Sequence, residues 1–177
     1  MRQLELRRHA PRDPDEDRLS SDGEILAEKV GTALEGPYAA VFTSPARRAA
    51  ETAAWFLRGL GHPIPATHGV AEGLASGVED RWRAAAKSAG SSRIDEVERV
   101  DPDLVAKESA ILGDTVRRLI ADLPDGARGL AVGHSPLIEA AVHGLVGVVI
   151  DPLRECEGVL LVQEGEAVRL DGELRLE

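Results

Sequence analysis

Two distant stretches, "VFTSPARR" (41–48) and "AVGHSPLI" (131–138), share one plan: an aliphatic run, a small polar residue, Ser-Pro, then a helical pattern. Serine is a preferred N-cap and proline is pre-shaped for the first helical turn, so each stretch reads as a strand that turns directly into a helix. A chain that repeats this junction is committed to strands and helices in alternation. "LELRRHAPRD" (4–13) supplies another strand, with Leu4 and Leu6 alternating with polar residues.

Helical patterns fill the intervals. Residues 20–36 carry a capping-box spacing, Ser21 to Glu24, followed by Ile25, Leu26, Val30 and Leu34 and ending at Gly36. Residues 45–60, 103–123 and 136–146 are also predicted as helices. The tail "GVLLVQEGEAVRLDGELRL" reads as antiparallel strands at a sheet edge. The alternation predicts an α/β sandwich with a mainly parallel sheet. At 177 residues the chain is read as one domain, 1–177, in which 79–105 is either a lid anchored by Trp82 or a charged helical excursion. Aromatics are only 3% and alanines are frequent, so helices are expected to pack closely on small side chains. Glu5 and Arg7 fit poorly in a buried central strand unless they pair.

A net charge of −10, from 21 basic and 31 acidic side chains, opposes binding to nucleic acid or anionic membranes. Cys156 is the only cysteine, so neither an intrachain disulfide nor a cysteine-based metal site can form. The start of the chain has no apolar leader and no apolar run is long enough to span a bilayer; the expected location is the cytoplasm.

Against that acidic background the basic residues at the strand ends stand out. Arg47 and Arg48 fall in a first helical turn, where positive charge opposes the helix dipole, and Arg7, Arg8 and His9 end the first strand at the same rim. A bound anion relieves the conflict, and arginine forks match phosphate oxygens best. His9 and His134 at two of the strand ends then point to transfer as well as binding. A neutral imidazole can accept a phosphoryl group, while the arginines and a second histidine stabilise its equatorial oxygens; neither metal nor cofactor is required.

"LRRHAPRD", "TSPARRAAETA" and "VGHSPLI" together resemble the three signature segments of the histidine phosphatase superfamily, which includes the phosphoglycerate mutases. The resemblance implies a three-layer α/β/α sandwich. It implies that His9 is the phosphorylated nucleophile, that Arg8 and Arg48 bind the phosphoryl group, and that His134 completes the pocket with the Ser135 amide near the same oxygens. "DRLSSDG" (17–23) is similar to a segment of the short bacterial phosphohistidine phosphatases and extends the phosphate site to Arg18, although one residue is missing between Arg18 and Leu19. Glu72 in "VAEGLASG" matches the acid that larger members use to protonate the leaving oxygen. Ala10 replaces the usual glycine.

The expected activity is a metal-independent phosphatase acting on small phosphorylated metabolites or on a phosphohistidine protein. The alternatives are a phosphoglycerate-type mutase and a domain that binds phospho-ligands without turnover, for which Ala10 is the only hint. His62 and His68 are read as surface residues, His143 as packed, and Arg47 as solvated.

Overall fold

In a computed structural model that describes residues 1–177, the strands β1 (Arg2–Arg8), β2 (Ala40–Thr43), β3 (Thr67–Val70), β4 (Arg128–Gly133), β5 (Gly158–Glu164) and β6 (Ala167–Leu174) form one sheet in the order β3-β2-β4-β1-β5-β6. The four strands from β3 to β1 are mutually parallel, and β5 and β6 add an antiparallel edge. This is the α/β architecture predicted from the junctions.

The helices α1 (Ser21–Gly31) and α2 (Arg47–Leu60) cover one face of the sheet. The helices α5 (Pro102–Ala121) and α6 (Leu137–Val146) cover the other, extended by α3 (Glu79–Ala89) and α4 (Ile94–Val100). Side chains sort by the two-residue period of a strand. Leu4, Leu6 and Ala131 pack toward α5 and α6, whereas Leu130 and Val132 pack toward α1 and α2. The 79–105 excursion is helical, and Trp82 is its buried anchor in the α5/α6 core, only 2% exposed.

Glu5 and Arg7 point into the α1/α2 face and pair at 2.5 Å. The Glu5 carboxylate also accepts from Tyr38 Oη at 2.7 Å and Arg128 Nη2 at 2.8 Å. Burial pushes its pKa up, but Arg7, Tyr38 and Arg128 outweigh burial and hold it below the ordinary value. Arg7 completes its coordination on the Cys156 carbonyl at 2.7 Å. With Arg7, Tyr38 and Arg128 all hydrogen-bonded to the Glu5 carboxylate, and only Arg128 Nε left without a partner, this network makes a polar strand face compatible with a core.

Several boundaries differ from the sequence reading. Helix α1 is capped by Ser20, whose side chain accepts from Gly23 N–H, rather than by Ser21. It stops at Gly31, not Gly36, where the Thr32 hydroxyl takes the Lys29 carbonyl at 2.7 Å. Helices α2 and α6 begin one or two residues later than their Ser-Pro pairs, at Arg47 and Leu137, with Ala46 and Pro136 as N-caps that offer no side-chain hydrogen bond. Ser44 and Ser135 are committed elsewhere, Ser44 to His134 and Ser135 to Glu139.

The expected close helix packing is present. A Cβ at Gly144 of α6 would lie 1.9 Å from the Ser109 carbonyl oxygen of α5, so these helices meet backbone to backbone. Because a carbonyl cannot swing aside as a side chain can, Gly144→Ala is expected to lower folding stability by about 2 kcal/mol or more. An unchanged urea midpoint would show that α5 and α6 have room to spare.

Candidate active site

Strand register assembles the site. Arg8 pairs with Gly133 across β1 and β4, and Thr43 with Val132 across β2 and β4, so three carboxyl ends finish side by side. The ladder continues one step beyond the strands: His9 N–H donates to Gly133 O and Ser44 N–H to Val132 O, both at 3.0 Å. His9, Ser44 and His134 therefore emerge at one rim, the ligand-binding edge of open α/β sheets.

Both imidazoles are nearly enclosed, His9 at 8% and His134 at 7% exposure, with ring centres 5.2 Å apart. His9 Nδ1 lies 2.7 Å from the Ala10 carbonyl, which can only accept, so the ring hydrogen sits on Nδ1 and Nε2 keeps its lone pair. That lone pair accepts from Arg48 Nε at 3.2 Å. His134 Nδ1 accepts from Arg48 Nη2 at 3.2 Å, leaving its Nε2–H to donate to Ser44 Oγ at 2.6 Å. One guanidinium thus joins two neutral rings.

Burial is the main reason that His9 is held down to a pKa of about 4; the Ala10 carbonyl works against this, and Arg48 and Arg8 add to the depression. Burial, then His9 and Arg48, bring His134 down to about 3. At neutral pH His9 is therefore unprotonated, with its Nε2 lone pair toward a cation.

Arg8 reaches the same rim along β1, donating to Leu153 O at 2.6 Å and Glu155 Oε1 at 3.0 Å, while its buried Nε has no partner. The Leu153 segment is in turn tied to α6, because Glu139 Oε1 accepts from Leu153 N–H at 2.8 Å and from Ser135 Oγ at 2.5 Å. Glu139 is 1% exposed and burial raises its pKa. Arg8, His9, Arg48 and His134 line a cavity of about 640 Å³ that α3 also lines, with Glu79, Trp82 and Arg83.

Of the residues singled out in the sequence, Arg8, His9, Arg48, His134 and Ser135 line this cavity together. Arg18 does not: the Arg12–Leu19 bridge closes a tight loop, and Arg18 turns outward to Asp13 at 3.3 Å and Glu16 at 2.9 Å, its side chain 47% exposed. Its neighbour Asp17 faces α2 instead and binds Arg48 Nη1 at 2.7 Å. Glu72 sits exposed in a 3-10 turn, Glu72–Leu74, whose buried member is Leu74, and is also outside the cavity lining. Arg47 is solvated, pairing with Glu51. Ala10 is buried, donates to Thr52 Oγ1 at 3.0 Å and has no positive φ, so its methyl is accommodated without strain. The sequence reading missed Asp17, Glu139, Glu79 and Arg12, the last lining the cavity without a carboxylate partner. Only Arg12 had a visible signal, its place in the basic cluster after His9. No group of histidine, cysteine and carboxylate side chains is arranged to hold a metal ion, and no helix is long and apolar enough to cross a membrane.

The low histidine pKa values set a pH dependence. Below pH 6.5 the unfolded chain takes up protons on both rings that the folded chain refuses until about 4 or 3, so acidification favours unfolding, by up to about 1.4 kcal/mol per pH unit per ring. His134→Asn is expected to lose about 1–2 kcal/mol less than the parent between pH 6.5 and 5, measured by urea denaturation. Equal losses would mean that His134 titrates normally.

The sequence profile of the histidine phosphatase superfamily (branch 1) matches residues 5–160. No protein of curated function matches the chain in sequence. Its fold is similar to that of phosphoglycerate mutase from Bacillus anthracis str. Sterne (TM-score 0.71, 16% identity, 96% of this chain and 91% of the other). It is equally similar to phosphoserine phosphatase from Entamoeba histolytica, solved with 3-phosphoglyceric acid (TM-score 0.73, 15% identity, 100% and 98%). The protein histidine phosphatase SixA, solved with tungstate, is a more distant likeness (TM-score 0.56, 19% identity, 97% and 96%). With a profile that spans the strand-end segments carrying both imidazoles and their arginines, the chain belongs to the histidine phosphatase superfamily.

Proposed function

We propose that the chain is a metal-independent phosphatase working through a phosphohistidine on His9, with small phosphomonoesters or a protein phosphohistidine as substrate and the cytoplasm as its location. The observation that carries this reading is the unprotonated His9 Nε2, buried beside Arg48, Arg8 and His134 in one cavity.

The His9 Nε2 lone pair attacks phosphorus and the ester P–O bond breaks, its electron pair leaving with the oxygen. Arg48 and the unpartnered Arg8 Nε take the equatorial oxygens, with the Ser135 amide alongside, while His134, its Nε2–H held by Ser44, orients Arg48 through Nδ1. Water then attacks phosphorus, the P–N bond breaks, and inorganic phosphate leaves as His9 regains its lone pair. An alcohol leaving group needs a proton, and Glu79, which lines the cavity wall, is better situated to give it than Glu72. A phosphohistidine substrate departs as an imidazole and depends less on that acid. The unstrained packing of Ala10 removes the one hint of a binding-only domain.

Rapid-quench labelling with a 32P-phosphomonoester tests this: an acid-labile, base-stable label on His9, chased by water into phosphate, is expected. His9→Ala should abolish turnover with the fold intact, and normal activity in that variant would end the proposal. Transfer of the label to a second substrate molecule instead of water would favour a mutase. Glu79→Gln is expected to slow alkyl phosphates about a hundredfold while sparing phosphohistidine peptides. A uniform effect, or a greater loss in Glu72→Gln, would move the acid role away from Glu79.

A further inference from the structure

A guanidinium holds its donors in one plane, with Nε–H and one hydrogen of Nη2 on a shared edge and Nη1 outside that edge, on the side of Cδ. In Arg48 the shared edge meets the two imidazoles, Nε at His9 and Nη2 at His134, both at 3.2 Å. Nη1 is left to Asp17, and at 2.7 Å this is the shortest hydrogen bond of the guanidinium. The Asp17 carboxylate also accepts from the backbone N–H of Arg47 at 2.9 Å and, at 3.4 Å, from that of Arg48. It occupies the N-terminus of α2, where Ala46 supplies no cap.

We infer that Asp17 is a positioning residue for phosphoryl transfer: it pins the first turn of α2 and the outer nitrogen of Arg48 together, so that the paired donors of Arg48 point between His9 and His134. The inference rests on the reading of the site given under Proposed function. Three observations separate it from ordinary helix capping. The carboxylate spans backbone and guanidinium at once, so it fixes the χ angles of Arg48 as well as its backbone. It offsets the conflict of an arginine at the positive end of a helix, which otherwise drives the side chain outward. It also approaches from the side away from the imidazoles and outside the cavity lining, so an incoming phosphoryl group takes the paired edge without displacing it.

The test compares the parent, Asp17→Asn, Arg48→Ala and the double variant in the full chain, reading kcat/KM on p-nitrophenyl phosphate, the vanadate inhibition constant and the urea midpoint. Asp17→Asn keeps an accepting oxygen for the helix but drops the charge. It is expected to raise the vanadate constant and lower kcat/KM by roughly tenfold to a hundredfold, the loss of one charge-assisted hydrogen bond. In the Arg48→Ala background the same change should cost less than about threefold, because Asp17 acts through Arg48. If the Asn variant does not fold, Asp17→Ser is held to the same criteria.

A folded variant with vanadate binding and turnover within about twofold of the parent, whatever its melting behaviour, reduces Asp17 to a cap and overturns the inference. Tighter vanadate binding makes Asp17 a competitor for Arg48 and overturns it equally, as does an undiminished effect without Arg48. These outcomes leave the phosphatase reading standing. A parent chain that binds neither vanadate nor phosphate and turns over no phosphoester removes both.

Discussion

The contact on which the site depends is the Arg48 guanidinium lying between two buried, neutral imidazoles. Enclosure is the main reason that neither ring is protonated, and the cation facing their lone pairs adds to it. The outer side of the cation is held by Asp17, which the α2 amides hold in turn. The resulting pocket presents donors in fixed directions and an unprotonated nitrogen, the arrangement that phosphoryl transfer asks of a protein.

Behind the pocket the chain spends unusual resources on keeping β1 in place. Glu5, Arg7, Tyr38 and Arg128 form a closed polar network under the strand that delivers Arg8 and His9, and Arg7 also holds the Cys156 carbonyl. Cys156 N–H in turn lies within hydrogen-bond reach of the Arg8 and His9 carbonyls at 3.2 and 3.4 Å, and the Leu153 carbonyl receives Arg8. Glu139 links that same segment to Ser135 and α6. The end of β1 is therefore constrained from the sheet, from the 153–157 segment and from α6. Such reinforcement suits a site that must hold like charges close together.

The alternation of strands and helices was legible because hydrophobic periodicity and Ser-Pro junctions are local signals. So were Arg8, His9, Arg48 and His134, which break a local electrostatic preference in an acidic chain. The helix starts were misread by a residue or two because Ser44 and Ser135 have partners 90 and 4 residues away that outcompete capping. Arg18 and Asp17 illustrate the same limit. Adjacent side chains in this tight loop face opposite ways, and the closure between Arg12 and Leu19 decides which of them meets α2.

The sequence by itself determined the layered α/β plan, the rim at which the strand ends carry histidine and arginine, and the cationic character of that rim in an acidic chain, since these follow from patterns within a few residues of one another. Tertiary structure decided which nitrogen of each ring is free, that Asp17 rather than Arg18 reaches Arg48, that Glu79 rather than Glu72 lines the cavity, and that Glu139 braces the loop behind Arg8. Those choices depend on burial and on which segments fold against one another, Asp17 against Arg48 31 residues on and Glu139 against Leu153 14 residues on, and no local pattern encodes such geometry.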